Sequence, residues 1–166
     1  MSDAGQRIWM FRDDLEAIPQ HPLPAGYTFH WYEPGDERHW LAIHRVADIY
    51  NTFSPETFTK QFHGDTDALR QRQCYLLDAQ GEPIGTATAW YDDANIGEAD
   101  NQSFGRVHWV AIVPEAQGRG LARPLLTVIL NRLRELDHRR AYLSTQTARS
   151  RAIHLYERFG FVERPR

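Results

Sequence analysis

Cysteine is nearly absent. Cys74 stands alone among 166 residues, so no disulfide can form within the chain. Its surroundings, Cys74-Tyr75-Leu76-Leu77, have strand composition, and a small buried thiol is expected there. Long apolar runs are missing as well. None approaches the roughly 20 residues that a membrane-crossing helix needs. Arg7, Arg12, Asp13 and Asp14 interrupt the start of the chain where a secretory leader would carry its apolar core. A cytoplasmic enzyme with no membrane partner is therefore expected. Basic charge is not in excess: the formal net charge is -3, which argues against a nucleic-acid partner. No repeat, low-complexity segment or linker interrupts the chain. One domain over residues 1–166, large enough for a real core and without a metal site, is the expectation.

The most informative stretch is Val113-Pro114-Glu115-Ala116-Gln117-Gly118-Arg119-Gly120-Leu121-Ala122-Arg123. It follows a strand-like run, Val107 to Val113, and leads into a helix-like run, Leu121 to Leu130. A strand, a glycine-rich turn and a helix start make an anion cradle. Glycine lets the main chain approach closely, and the first helical N–H groups lack internal partners. The helix dipole adds positive charge at that end. The guest is then a phosphate or pyrophosphate. No Lys follows the glycines, so this is not a P-loop. Gly118-Arg119-Gly120 lacks the third glycine of a dinucleotide fingerprint.

Along the chain, Ile8 to Phe11 reads as an extra edge strand. Pro19, Pro22 and Pro24 mark a connector that is neither helix nor central strand. Tyr27 to Tyr32 reads as a strand. Pro34-Gly35-Asp36 opens a helix whose Trp40, Leu41, Ile43, His44 and Ala47 recur at helical spacing. Ser54-Pro55 caps a second helix with Phe58 and Phe62 on its inner face. Gln73 to Leu77 and Ile84 to Tyr91 form a hairpin around Gln80-Gly81. A polar loop with Asp92, Asp93, Glu98 and Asp100 precedes the strand Arg106 to Val113. The helix after the glycine turn aligns Leu121, Leu125, Val128, Ile129, Leu133 and Leu136. Ala141 to Thr145 is a strand, parallel to 107–113 because a helix joins the two. Ser150 caps the last helix, with Ala152, Leu155, Tyr156 and Phe159 inward and Gly160 at its C′ position.

Gln117-x-x-Gly120-x-Ala122, followed at the right distance by Leu155-Tyr156-x-x-x-Gly160-Phe161, resembles the GNAT superfamily of N-acetyltransferases. The match covers about residues 105 to 163. It implies an α/β fold: a GNAT-like mixed, mostly antiparallel sheet with helices on both faces and a splayed parallel strand pair. It also implies acetyl-CoA as cosubstrate and a small-molecule or peptide amine as acceptor. The resemblance gives the pyrophosphate to the main chain of Gln117, Gly118, Arg119, Gly120, Leu121, Ala122 and Arg123. Arg119 and Arg123 either add charge there or form a solvated basic helix start. Main-chain groups of Val110, Ala111 and Ile112 would meet the pantetheine arm and the acetyl carbonyl.

Tyr156 occupies the superfamily's general-acid position; a phenol is protonated at neutral pH and can donate to a thiolate. His108 falls where arylalkylamine acetyltransferases place a base or water relay. Period-two alternation sets it on the face of Val110 and Ile112. Glu98 and water alone remain alternatives to it. Where many members have Asn, three residues before Ala152, this chain has Arg149. Either Arg149 substitutes for it towards the cofactor's phosphate, or the cofactor arm goes without that bond. The acceptor pocket would draw on Tyr50, Asn51, Thr52, Phe53, Trp90, Tyr91 and the acidic loop, a composition suited to a cationic amine. Little follows Phe161, so a homodimer or a compensating N-terminal strand is expected at the sheet edge. An acyltransferase using another acyl-CoA, or an idle CoA-binding sensor, are the competing readings.

Overall fold

The computed structural model describes residues 3–97 and 103–166. Glu98 and Asp100 lie outside the described residues. Within them the sheet has seven strands: β1 (Arg7–Arg12), β2 (Thr28–Trp31), β3 (Gln73–Leu77), β4 (Pro83–Tyr91), β5 (Phe104–Ile112), β6 (Arg140–Gln146) and β7 (Val162–Glu163). Their spatial order is β2-β3-β4-β5-β6-β1-β7. Every pairing is antiparallel except β5 with β6, the pair joined by a helical crossover.

Five α-helices cover the two faces: α1 (Glu37–Ala47), α2 (Pro55–Phe62), α3 (Thr66–Arg72), α4 (Ala122–Glu135) and α5 (Ser150–Arg158). On one face α4 buries Leu125, Leu126, Ile129, Leu130 and Leu133 against Cys74, Ala87, Ala89, Val107, Ala141 and Leu143. Each fully buried leucine or isoleucine contributes on the order of 1.5–3 kcal/mol. Tyr156 and Phe159 of α5 join the same cluster. On the other face Trp40, Leu41 and Ile43 of α1 and Phe58 and Phe62 of α2 meet Tyr75 and Trp90.

Local chemistry explains the helix starts. Ser54 and Thr57 form a reciprocal capping box, with Pro55 in the first turn of α2. Asp65 accepts the Ala68 amide at 3.0 Å and starts α3, a helix the sequence pattern does not predict. Ser150 is the first helical residue of α5, and Arg149 holds the cap position without a side-chain cap bond.

β1 is not an edge strand. It pairs with β6 along its whole length and with β7 at Met10 and Phe11. Both its faces are covered, Met10 entering the α4 core and Phe11 packing with Phe104 and Tyr142. The N-terminal strand thus lies where a compensating strand was expected, and the two-residue β7 forms the edge.

Gly105 sits where β5, β6 and α4 meet. A Cβ there would lie 2.5 Å from Leu133 Cδ2 and 3.1 Å from the His138 ring. Leu133 is fully buried and cannot step aside. Gly105→Ala is expected to cost about 1–3 kcal/mol by overpacking, read as a lower urea midpoint at unchanged m-value.

Candidate active site

β5 and β6 pair only at Phe104↔Arg140, Gly105↔Ala141 and Arg106↔Tyr142. β5 continues to Ile112 and β6 to Gln146, so the edge of β5 beyond Arg106 has no strand beside it. The gap is a cleft of about 500 Å³. Val110, Ala111, Ile112, Gln117, His108, Arg149 and Tyr156 all line it. The sequence separates these residues by up to 48 positions, from His108 to Tyr156, and the splay brings them together. Gly118, Arg119, Gly120, Leu121, Ala122 and Arg123 lie beside the cleft as the turn into α4.

That turn is built for close approach. Gly118 and Gly120 have φ of +79° and +74°, and nothing lies within 4 Å of where their Cβ atoms would be. Leu121 is buried against Leu76 and Ala116 and anchors the turn from below. Gln117 donates Nε2 to the Ile112 carbonyl at 2.8 Å, closing the end of β5. No side chain caps α4. Its leading amides are therefore available to an anion, apart from Pro124, which has none. Arg119 is exposed, within 3.3 Å of the Tyr27 hydroxyl, and Arg123 is exposed on the first turn.

The opposite end of the cleft is shaped by a bulge. Thr86 pairs with Ala111 but Thr88 with His108, so β5 carries one extra residue. Trp109 absorbs it at φ +52°, a left-handed conformation costly for a bulky side chain. Its indole Nε1 donates to Gln61 Oε1 at 2.9 Å. Its ring packs on Trp40, His44 and Phe53. The bulge overturns the alternation expected for this strand. Val110 and Ile112 pack towards the α4 core, whereas His108 lies against Phe62 and Trp109 on the opposite face.

Burial sets the protonation of this end. The His44 imidazole is 1% exposed, and burial lowers its pKa to about 4, with Arg149 acting the same way and Asp48 opposing. Burial also holds His108 well below the ordinary histidine value, helped by Arg106, His44 and His63. Tyr156 is pushed up to about 12 by burial, partly offset by Arg149. Its ring rests on Phe161, and its hydroxyl bonds to no other described residue.

Arg149 ties the cleft walls together. Nη2 donates to Asp48 Oδ2 at 3.0 Å, Nε donates to Gln146 Oε1 at 2.8 Å, and the guanidinium lies over the Tyr50 ring. Asp48 is held below its ordinary pKa: bonds from Asn51, the Tyr50 amide and Arg149 outweigh its burial. Sequence reasoning missed Asp48, Gln61 and Arg106 on the cleft wall, and took His44 only as part of a core-facing stripe. Helical spacing from Trp40 marks the α1 inner face, but no local pattern says that its last turn borders a cavity.

The expected acceptor pocket is corrected in part. Asn51 lines the cleft, and Tyr50 and Phe53 stand behind it against Arg149 and His44. Trp90 is fully buried in the core and Tyr91 stacks on it. Asp92 is taken up by the amides of Ile96 and Gly97, and Asp93 by Arg106 and His63.

The splayed parallel pair, the uncapped helix behind a glycine turn and the tyrosine of the following helix are the features of a GNAT fold. The chain belongs to the acetyltransferase (GNAT) family, whose model matches residues 9–161. It is 32% identical over 147 residues to a mycothiol acetyltransferase of Streptomyces griseus subsp. griseus, covering 84% of this chain and 44% of that one. A mycothiol acetyltransferase of Salinispora tropica is 31% identical over 165 residues, covering 93% and 51%. The chain thus spans about half the length of these curated relatives. The structure of a GCN5-related N-acetyltransferase from Sphaerobacter thermophilus superposes with a TM-score of 0.76 at 21% identity, over 95% of this chain and 48% of that one. That last likeness concerns the fold alone. Among the described residues no helix is long and apolar enough to cross a membrane.

Proposed function

We propose that the chain is an N-acetyltransferase domain that moves an acetyl group from acetyl-CoA to a primary amine by direct transfer. The observation that carries this is the glycine turn and uncapped α4 start opening beside a cleft whose far wall holds the free Tyr156 hydroxyl. The residues fit a pyrophosphate. Two left-handed glycines leave room for it, and the amides of Leu121, Ala122 and Arg123 face it with the positive end of the helix. Gln117, Gly118, Arg119 and Gly120 complete the cradle, with the arginines adding charge. When bound, acetyl-CoA supplies an activated acetyl thioester.

The chain's own groups do the rest. Main-chain groups of Val110, Ala111 and Ile112, without a strand partner on the cleft side, hold the pantetheine arm and polarise the acetyl carbonyl. Tyr156 keeps a proton at its hydroxyl for the departing sulfur. As the C–N bond forms and the C–S bond breaks, that proton passes to the thiolate. The amine's proton leaves through His108, and solvent restores the phenol. Arg149 and Asp48 fix the wall on which the acceptor rests. Relatives named for mycothiol favour a small-molecule acceptor over a protein.

Acetyl-CoA at about a hundred times its Kd is expected to stabilise the folded chain by about 2.7 kcal/mol, read as a rise in Tm. Thiol release across an amine panel then separates an enzyme from a mere binder. Gly120→Val places a β-branched residue at φ +74°, which costs about 1–2 kcal/mol of backbone strain. The variant is expected to lose most of the ligand-dependent rise. An absent rise in the wild-type chain overturns the reading, and an undiminished one in Gly120→Val removes the turn from the site.

A further inference from the structure

Three arginines and one aspartate supply the formal charge of the cleft lining: Arg7, Arg106, Arg149 and Asp48. That balance runs against the chain as a whole, whose formal net charge is -3. Two of the arginines already have a counter-charge. Arg106 Nη1 donates to Asp93 Oδ1 at 2.8 Å, and Arg149 Nη2 donates to Asp48 Oδ2 at 3.0 Å. Arg7 differs from both. It is exposed, and among the described residues its guanidinium has no hydrogen bond and no ion pair.

The sheet register tells which side of the cleft Arg7 serves. Along β1, Ile8 and Met10 pack into the core under α4, while Trp9 and Phe11 pack with Phe104 and Tyr142 on the opposite face. Alternation puts Arg7 on the face of Trp9 and Phe11. Residues directly opposite in an antiparallel pair share a face, so Gln146 lies beside Arg7 and Ser144 beside Trp9. Side-chain bonds agree with that placement. Arg106 Nη2 donates to Ser144 Oγ at 3.5 Å, and Arg149 Nε donates to Gln146 Oε1 at 2.8 Å. Arg7 therefore stands on the side that Asp48 of the α1 end walls in, and not on the side of α4, whose start faces the pyrophosphate in the reading above. Gln146 is the last residue of β6, so Arg7 sits at the open end of the splay.

We infer that the acceptor is an amine that also carries an anionic group, a carboxylate or a phosphate, and that Arg7 pairs with that group at the rim of the cleft. This rests on the acetyl-transfer reading above. A guanidinium presents parallel N–H donors that match two oxygens of either anion. A second ammonium on the acceptor would find no such partner, because Asp48 is bonded by Arg149, Asn51 and the Tyr50 amide. Arg7 is thus a specificity residue: it selects which amine enters and takes no part in bond making.

The test compares amines of matched length. β-Alanine, γ-aminobutyrate and δ-aminovalerate are each set against n-propylamine, n-butylamine and n-pentylamine, and O-phosphoethanolamine against ethanolamine. For the amino acid of fitting length, or for the phosphate, kcat/KM is expected to exceed that of the uncharged counterpart about fivefold, the worth of one ion pair at an exposed rim. A preference among the carboxylates names a carboxylate as the anion, and one for O-phosphoethanolamine names a phosphate. The preference should shrink as salt is raised towards 1 M, where charges are screened within about 3 Å. Arg7→Gln is expected to bring the ratio to about one, Arg7→Lys to keep part of it, and neither to alter the acetyl-CoA-dependent rise in Tm. No preference in the wild-type chain, a preference undiminished in Arg7→Gln, or a lost acetyl-CoA response in that variant overturns the inference. A wild-type chain that acetyl-CoA does not stabilise overturns the acetyl-transfer reading instead. Calorimetric binding of the same anionic amines to wild type and Arg7→Gln then still decides the role of Arg7: weaker binding in the variant upholds it, and equal binding overturns it.

Discussion

Tyr156→Phe is expected to lower kcat by about 10²- to 10³-fold, the range of a lost general acid, with no change in the Tm rise that acetyl-CoA produces. The two readouts separate for a structural reason. The Tyr156 ring fills space against Phe161, which phenylalanine also fills, whereas its hydroxyl has no bond to any described residue and the side chain lines the cleft. Burial keeps that hydroxyl protonated far above neutral pH, its pKa being pushed up to about 12. The proton is therefore in place for a thiolate at every working pH. Folding stability should move by no more than about 0.5 kcal/mol, as for a substitution that breaks no packing. An unchanged kcat would take the acid role from Tyr156. A large fall in both kcat and stability would instead make it a packing residue.

The second large effect is on acid stability. The folded chain is expected to lose stability steadily as the pH falls from about 6.5 towards 4. In the unfolded chain His44 binds a proton near pH 6.5, while in the folded one it stays neutral down to about pH 4. Over that window the unfolded state holds more protons, so lowering the pH favours it. At 1.36 kcal/mol per pKa unit, His44 alone accounts for on the order of 3 kcal/mol by pH 4. His108 acts in the same direction. Asp48 does not share the window. Its folded pKa is depressed, so its contribution persists through pH 4 and is lost only below that. Urea midpoints at several pH values would show the slope, and His44→Phe should flatten it. A stability independent of pH between 6.5 and 4 would mean that these imidazoles protonate inside the fold.

Local chemistry made most of the fold legible. Ser54-Pro55 announced α2, the strand composition of Gln73 to Leu77 gave β3 its bounds, and Gln117 to Ala122 marked the turn into α4. α3 escaped because a seven-residue helix with Leu69 as its buried apolar anchor shows no periodicity, although Asp65 three residues before Ala68 was a usable cap signal. The bulge at Trp109 was out of reach. Glycine or asparagine would have marked a left-handed residue, whereas tryptophan is held there by Gln61, Trp40 and Phe53 from elsewhere in the chain. The face of His108 was misjudged for that reason alone. Arg149 shows the same limit: its departure from the superfamily's asparagine was visible, and its partner Asp48, a hundred residues upstream, was not. Of the acidic loop, Asp92 and Asp93 are already bonded within the fold, which composition does not reveal.

The position of β1 between β6 and β7 has a consequence for how the protein is made. Strands from opposite ends of the described chain must meet before that half of the sheet exists. β3 to β5 can form by local hairpins as they emerge during synthesis, but β6 gains its antiparallel neighbour only by recruiting the first strand back across the whole intervening chain. Such distant pairing slows folding. It also leaves β1, with Trp9, Met10 and Phe11, unpartnered until β6 arrives. On the ribosome, that first strand is the segment with the longest wait and the greatest exposure to the wrong neighbour.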